Sequence, residues 1–233
     1  MDVLVVDVGG THVKMRSSGG SDTRRFKSRS DLTAEELVVL VTESVRDWRY
    51  DVISLGVPVP LDARTLTMEP GNLGKGWIGF DFAKAFGKPV RVINDAVMQA
   101  LGAYDGGRML FLGLGTGLGS ALVSDHVVVP LELGNLRLSG GEPLGIQLGR
   151  RGLETGGEVA WQRAVTDAAC MLRDAFVADY VVLGGGNAKR VQPLPEGVRR
   201  GGNEDAFTGG YRLWEEMVEP HDRQPPPVWR VVR

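Results

Sequence analysis

Hydrophobic residues along this chain follow two rhythms: short unbroken or alternating runs, and longer stretches repeating every three to four residues. The first run, MDVLVVDV, leads through Gly9-Gly10 into the alternating segment HVKMRSS, which predicts two strands joined by a tight turn. Residues 31–48 predict a helix, with Thr33 and Glu36 at capping-box spacing and Leu37, Leu40, Val41, Val45 and Trp48 on one apolar face. DVISLGVPVP predicts a buried strand ending in prolines, GNLGKGW a loop and DFAKAFG a short helix. PVRVIND then predicts a strand that runs directly into the helix AVMQALGAY.

After Asp105-Gly106-Gly107 the rhythm begins again. RMLFLGLG and GSALVSDHVVV predict a second hairpin around a glycine turn. A long helix is predicted from about residue 158 to 178, with Trp161, Ala164, Val165, Ala168, Leu172, Ala175 and Phe176 on or near one face. YVVLGGG predicts a strand ending in a glycine turn, residues 206–217 a last short helix, and the prolines at 225–227 a spacer or docked end. The pattern is therefore two α/β halves, each opening with a strand–glycine–strand hairpin.

Composition narrows the function classes. The 233 residues, 42% of them hydrophobic, suffice for one large domain or two lobes with cores of their own. A net charge of −2 with interspersed signs offers no field for nucleic acid or an anionic membrane, and no apolar run reaches the roughly 20 residues of a spanning helix. A strand pattern directly after Met1, with no basic leader, sets the expectation of a cytoplasmic protein. The single Cys170 excludes an internal disulfide and a Cys-rich zinc site, and His12, His126 and His221 lack metal-ligand spacing. The 33 glycines are the chief peculiarity, and they cluster at turns.

Those turns carry the candidate chemistry. VVDVGGTHVK and FLGLGTGLGSALV both place small residues and a threonine where backbone N–H groups can approach an anion, so two such turns facing each other would grip a polyphosphate. A dinucleotide fingerprint fails in the second turn, because Leu118 occupies the third glycine position counted from Gly113 and the following SALVSDHVVV is strand-like rather than helical. A phosphate-loop NTPase fails as well, since glycine follows Lys75 and no glycine sits at the upstream spacing.

VDVGGTHVK, GNLGKGW, VINDAVMQALGAY, GLGTGLGSALV, ELGN and VVLGGGNAKR, in that order from about residue 3 to 216, resemble the ROK family of sugar kinases and regulators within the actin-like ATPase superfamily. The short glucokinases, including those that use polyphosphate, are the most similar members. The resemblance implies an α/β, two-lobed actin-like ATPase (ribonuclease H-like) fold, with two mixed sheets flanked by helices and a cleft between the lobes. It implies an N-terminal lobe over 1–106 completed by the helix near 206–217, a C-terminal lobe over 107–205, and a Pro-rich tail over 218–233. The chain begins at the first phosphate hairpin rather than with a DNA-binding domain, which favours the kinase branch.

Residue by residue, the resemblance implies that Asp7 orients magnesium, often through water, with Gly9, Gly10 and Thr11 beside the phosphates and Lys14 either approaching them or facing water. Asp95 would be the base that takes the sugar hydroxyl proton, although taken alone it also fits a helix N-cap. Asn72, Asn94, Asp95 and Glu132 are candidates for the sugar, with Trp77 either a pocket wall or plain core. Gly115, Thr116 and Gly117 match the second phosphate motif and Gly184, Gly185 and Gly186 the adenosine motif, with Asn187 a nucleotide contact or a cap.

One departure concerns the family's ExGH signature, which here reads Glu132-Leu133-Gly134-Asn135. Asn135 replaces a histidine that in many members touches sugar and ligates zinc, and the accompanying cysteine cluster is absent, so no zinc is expected. Asparagine can still donate to a hydroxyl but takes no positive charge. A further pocket glutamate would be Glu142 or Glu154.

The expected activity is phosphoryl transfer from ATP or polyphosphate, with Mg2+, to a hexose hydroxyl, glucose to glucose 6-phosphate first. Sugar and nucleotide are the expected partners, without nucleic acid or membrane, and dimerisation is expected by analogy with relatives. One alternative is a non-catalytic sugar or nucleotide sensor. Another is a different small-molecule kinase such as type III pantothenate kinase, whose first motif normally reads DxGNT instead of the Asp7-Val8-Gly9-Gly10-Thr11 found here.

Overall fold

The computed structural model of the chain describes residues 1–62, 65–138, 141–202 and 204–215. The tail over 218–233 and the last two positions of the helix expected over 206–217 lie outside the described residues.

The first sheet is built from β1 (Val3–Val8), β2 (His12–Ser17), β3 (Thr23–Lys27), β4 (Val52–Val57) and β7 (Val90–Asn94), in the order β3-β2-β1-β4-β7. Between β4 and β7 lie the two-residue strands β5 (Leu61–Asp62) and β6 (Thr65–Leu66), which pair with each other, and the short helix α2 (Phe82–Phe86). β1 is buried along its whole length and pairs antiparallel with β2 and parallel with β4. Its period of two sends Leu4, Val6 and Val8 into a core shared with helix α1 (Ala34–Ser44). Val3 and Val5 point to the opposite face.

α1 starts at the expected capping box, with Thr33 accepting from Glu36 N and Glu36 reaching back to Thr33 N. It stops at Ser44 rather than 48, where the Arg24 guanidinium donates to the Ser44 carbonyl and pairs with Asp47. Trp48 still packs against this core and lies under Arg24.

β7 runs into α3 (Asp95–Ala103), which leads to the second sheet. That sheet comprises β8 (Arg108–Leu114), β9 (Leu118–Ser124), β10 (Val127–Leu131), β11 (Tyr180–Gly184) and β12 (Val198–Arg200), in the order β10-β9-β8-β11-β12. Its order and strand directions repeat those of the first sheet. The segment GSALVSDHVVV is two strands rather than one, because Asp125 (φ 49°) and His126 (φ 64°) form a two-residue turn in the left-handed region that suits the twist of a hairpin.

The short helices α4 (Leu144–Gln147) and α5 (Arg150–Gly156) and the long α6 (Glu158–Ala175) follow β10. Leu144, Leu148, Trp161, Val165 and Leu172 from this segment cover one face of the second sheet. α6 ends at Ala175, and Phe176 caps it.

The other faces of both sheets meet across α3 and the last helix, α7 (Asp205–Arg212). Ala96, Val97 and Ala100 of α3 pack on Phe111, Ala121 and Val182, whereas Met98 of α3 and Phe207 of α7 pack on Val3, Val5 and Val52. The two helices approach closely at Gly102 and Gly209, where a Cβ would strike the Asp205 and Met98 carbonyls. Arg212 donates to the Leu101 and Tyr104 carbonyls at the end of α3. No helix among the described residues is long and apolar enough to cross a membrane.

Candidate active site

Between the lobes lies a cleft of about 890 Å3, open at one side. One wall is the turn between β1 and β2. Gly9 N donates to the His12 carbonyl, and Ser28 fixes the turn from outside, donating its hydroxyl to the Gly9 carbonyl at 2.6 Å and its N–H to the Thr11 carbonyl. The N–H groups of Gly10 and Thr11 have no acceptor among the described residues and remain for a ligand.

The turn between β8 and β9 forms the opposite wall, tied by Gly115 N to the Gly117 carbonyl and by Asn187 Nδ2 to the Gly115 carbonyl. The two turns come so close that a Cβ on Gly10 would lie 3.0 Å from Thr116 Oγ1 and 2.6 Å from Asn72 Nδ2.

Asp7 forms part of the floor. It lies at the end of β1 on the face shared with Val3 and Val5, is only 5% exposed, and has Lys14 Nζ at 3.8 Å from Oδ2. Its Oδ1 is buried without any hydrogen-bond partner. Burial pushes its carboxyl above the usual range, against the opposing pull of Lys14.

Asp95 opens α3 at the C-terminal edge of β7. The helix cap is Asn94, whose Oδ1 accepts from Ala96 N (3.0 Å) and Val97 N (3.2 Å) while its Nδ2 donates to the Val59 carbonyl (3.1 Å). Both ends of the Asn94 amide are thus engaged within the protein, and its cap aims the next residue into the cleft. Asp95 Oδ1 accepts from Ala96 N at 2.9 Å. Desolvation first, then the charge of Asp7 and more weakly that of Glu132, pushes the Asp95 carboxyl up to about 7. Two close approaches fix this helix start: Gly56 of β4 lies against Met98, and a Cβ on Gly119 of β9 would stand 2.6 Å from Ala96 Cβ.

Glu132 faces the cleft from the end of β10, and desolvation raises its carboxyl. Ser120 sets this corner by donating to the Leu131 carbonyl and accepting from Leu133 N.

The cleft therefore brings together Asp7, Gly9, Gly10, Thr11, Asn72, Asn94, Asp95, Gly115, Thr116, Gly117, Glu132, Gly185 and Gly186. Two expected site residues lie elsewhere. Gly184 is buried at the end of β11, where a Cβ would strike the Phe111 ring, and Asn135 is exposed at the end of the one-turn 3-10 helix Leu133–Asn135. Of the glutamates left open, Glu142 approaches Arg151 at 3.8 Å and neither it nor Glu154 lines the cleft. Trp77 is core, fully buried with its indole N–H on the Leu32 carbonyl. Among the described residues no group of three or more His, Cys, Asp and Glu side chains could hold a metal by itself.

Sequence reasoning missed Arg150, Gln99, Lys189 and Arg200, all of which line the cleft. Arg150 is the most telling. Its N–H bonds to the Gly115 and Thr116 carbonyls, and its guanidinium reaches across to Thr11 Oγ1 at 3.2 Å, so one residue connects both glycine turns. Arg150 follows Gly149, a glycine packed so tightly on the Thr116 carbonyl that a Cβ would stand 2.5 Å from it.

No family model matches the chain, and no curated protein does. Solved structures do. An inorganic polyphosphate/ATP-glucomannokinase from Arthrobacter sp. strain KM matches over 91% of this chain and 97% of its own, with a TM-score of 0.76 and 24% identity. A ROK family glucokinase from Streptomyces griseus, in complex with glucose and AMPPNP, matches over 91% and 99% with a TM-score of 0.74 and 17% identity. The ROK hexokinase from Thermus thermophilus matches over 90% and 96% with a TM-score of 0.67 and 22% identity. With two five-stranded mixed sheets in matching order around an interlobe cleft, this chain has the actin-like ATPase fold of the ROK sugar kinases.

Proposed function

We propose that the protein is a sugar kinase that moves the terminal phosphoryl group of ATP or polyphosphate to a hexose hydroxyl, with glucose to glucose 6-phosphate as the first pair to test. The observation that carries this reading is Asp95, a carboxylate lifted to about 7 at a helix start, facing a cleft walled by two phosphate-accepting turns. The neighbours that share the fold include enzymes named for glucose and mannose and a complex with glucose and AMPPNP.

In this scheme Asn72 and Glu132 hold the sugar by hydrogen bonds, and Asp95 accepts the hydroxyl proton as the oxygen bonds to the terminal phosphorus. The bond from that phosphorus to its bridging oxygen breaks, and the electron pair leaves with ADP or the shortened polyphosphate. A carboxylate near 7 is half ionised at neutral pH, which suits a base that must take a proton and later release it. The Gly10 and Thr11 N–H groups and Arg150 stabilise the phosphate charge.

Magnesium fits Asp7 Oδ1, a buried carboxylate oxygen that has no hydrogen-bond partner among the described residues. It would be held by Asp7 and would neutralise the charge between the donor phosphates.

The experiment is sugar-phosphate formation by the purified protein with magnesium, offering ATP or polyphosphate against glucose, mannose, fructose, N-acetylglucosamine, N-acetylmannosamine and pantothenate. Product with one hexose that vanishes in Asp95→Asn supports the reading. Nucleotide binding by folded protein without product from any pair overturns it in favour of a sensor, and product with pantothenate alone points to a different kinase.

A further inference from the structure

The outward face of β2 and β3 carries charge that the catalytic scheme does not use. Strand alternation sends Val13, Met15 and Phe26 to the core and leaves His12 and Lys14 of β2 and Arg25 and Lys27 of β3 on the other face. The register sets His12 opposite Lys27 and Lys14 opposite Arg25, and continues from Lys14 to Asp7 in β1. With strands about 4.8 Å apart and same-face residues nearly 7 Å apart along a strand, these four positions form a compact grid. His12 and Lys14 line the cleft, whereas Arg25 and Lys27 lie exposed on the edge strand, so the grid runs from the first phosphate turn to open surface.

Three arginines of this lobe are neutralised: Arg16 pairs with Glu204, Arg24 with Asp47, and Arg29 with Asp31 and Glu36. Arg25 and Lys27 have no acidic or hydrogen-bonding side-chain partner among the described residues. Paired charges hold a surface together. Unpaired ones, in register beside a glycine turn, leave a positive face that an anion can occupy.

We propose that this face binds the distal phosphates of a linear polyphosphate donor, as a site continuous with the one between the two hairpins. The proposal rests on the kinase reading for what the occupied end of the chain does. ATP would not extend along the grid to Arg25 and Lys27, because its phosphate run ends in a nucleoside after three groups. A nucleic acid strand fits poorly, because stacking platforms for bases are missing: Phe26 turns inward and Trp48 lies beneath Arg24.

The test compares the full chain with the double variant Arg25→Gln/Lys27→Gln, measuring direct binding of long-chain polyphosphate and of tripolyphosphate over a range of salt, alongside ATP-dependent sugar phosphorylation. The expected result is a loss of about tenfold or more in long-chain binding and a salt dependence shallower by roughly 1.4 in log–log slope, the share of two phosphate contacts. Tripolyphosphate binding and ATP kinetics stay as in the wild type. Unchanged long-chain binding, an equal loss for tripolyphosphate, or displacement by a single-stranded oligonucleotide at lower charge concentration would each overturn the proposal. If ATP drives turnover while long-chain binding ignores the two residues, the site falls and the kinase stands. If no donor yields sugar phosphate but long-chain binding depends on them, the phosphate site stands and the kinase reading falls.

Discussion

The two lobes share one strand order and put different residues at equivalent places. The last two pairs of the first hairpin are Asp7↔Lys14 and Val8↔Val13, and those of the second are Gly113↔Gly119 and Leu114↔Leu118. A buried carboxylate facing an exposed lysine in one lobe is thus a pair of glycines in the other. Gly119 allows the second sheet to press on Ala96 at the start of α3, so the second lobe supplies closeness and the first supplies charge.

The helices that follow the last strand of each sheet make the same point. Asp95 opens α3 after β7, and Asp205 opens α7 after β12. Burial raises both carboxyls, but Asp205 accepts from Gly202 N at 2.7 Å and is drawn down by Arg199 and Arg212, whereas Asp95 is pushed up further by Asp7. The scaffold repeats, while the surroundings that push Asp95 up to about 7 differ from those of Asp205.

Breaking the comparison at its reactive side has the largest expected effect. Asp95→Asn should lower kcat by about 10²–10⁴ with the fold intact, read by product formation and circular dichroism. Asp7→Asn should raise the magnesium concentration for half-maximal rate by about tenfold or more, checked by magnesium titration. Gly119→Val should place atoms against Ala96 and cost about 1–3 kcal/mol, seen as a lower denaturation midpoint together with reduced turnover, because the start of α3 must shift.

A subtler contrast comes from pH. Asp95 is raised in the fold from 3.8 to about 7, so the folded state holds its proton where the unfolded chain has lost it. Stability from this group therefore falls as pH rises from about 4 to 7 and then levels off. Asp95→Asn should thus stabilise the protein by an amount that grows over that window. At about 1.4 kcal/mol per unit the ceiling is about 4 kcal/mol, and about 1–2 kcal/mol is expected because Asp95 still meets solvent in the cleft. Thermal melts between pH 4 and 8 would show it. The matching change in the other lobe, Asp205→Ala, should cost only about 1 kcal/mol for the lost bond to Gly202 and leave the pH profile of turnover alone.

Much of this arrangement was legible before any coordinates. The hairpins, the α1 capping box and the Asn94-Asp95 junction follow from local pattern, since each depends on neighbours in sequence. The edge strands β3, β10 and β12 were not legible, because TRRFK carries more charge than hydrophobic pattern and the DH turn between β9 and β10 lacks the glycine that marks most hairpins. The split of roles between Asn94 and Asp95 required the cap geometry. Arg150 was hidden for a different reason: its position between the turns depends on residues 139 apart, which no local spacing encodes. The cationic grid likewise exists only in the cross-strand register.

Whether Asp95 is the base of a sugar kinase can be read from the pH dependence of kcat/KM for hexose phosphorylation. With Asp95 as the base, the rate rises with pH and bends near the value of about 7 assigned to Asp95, and Asp95→Asn yields no product above about one part in a hundred of wild type. A folded Asp95→Asn variant that phosphorylates hexose at the wild-type rate would contradict it.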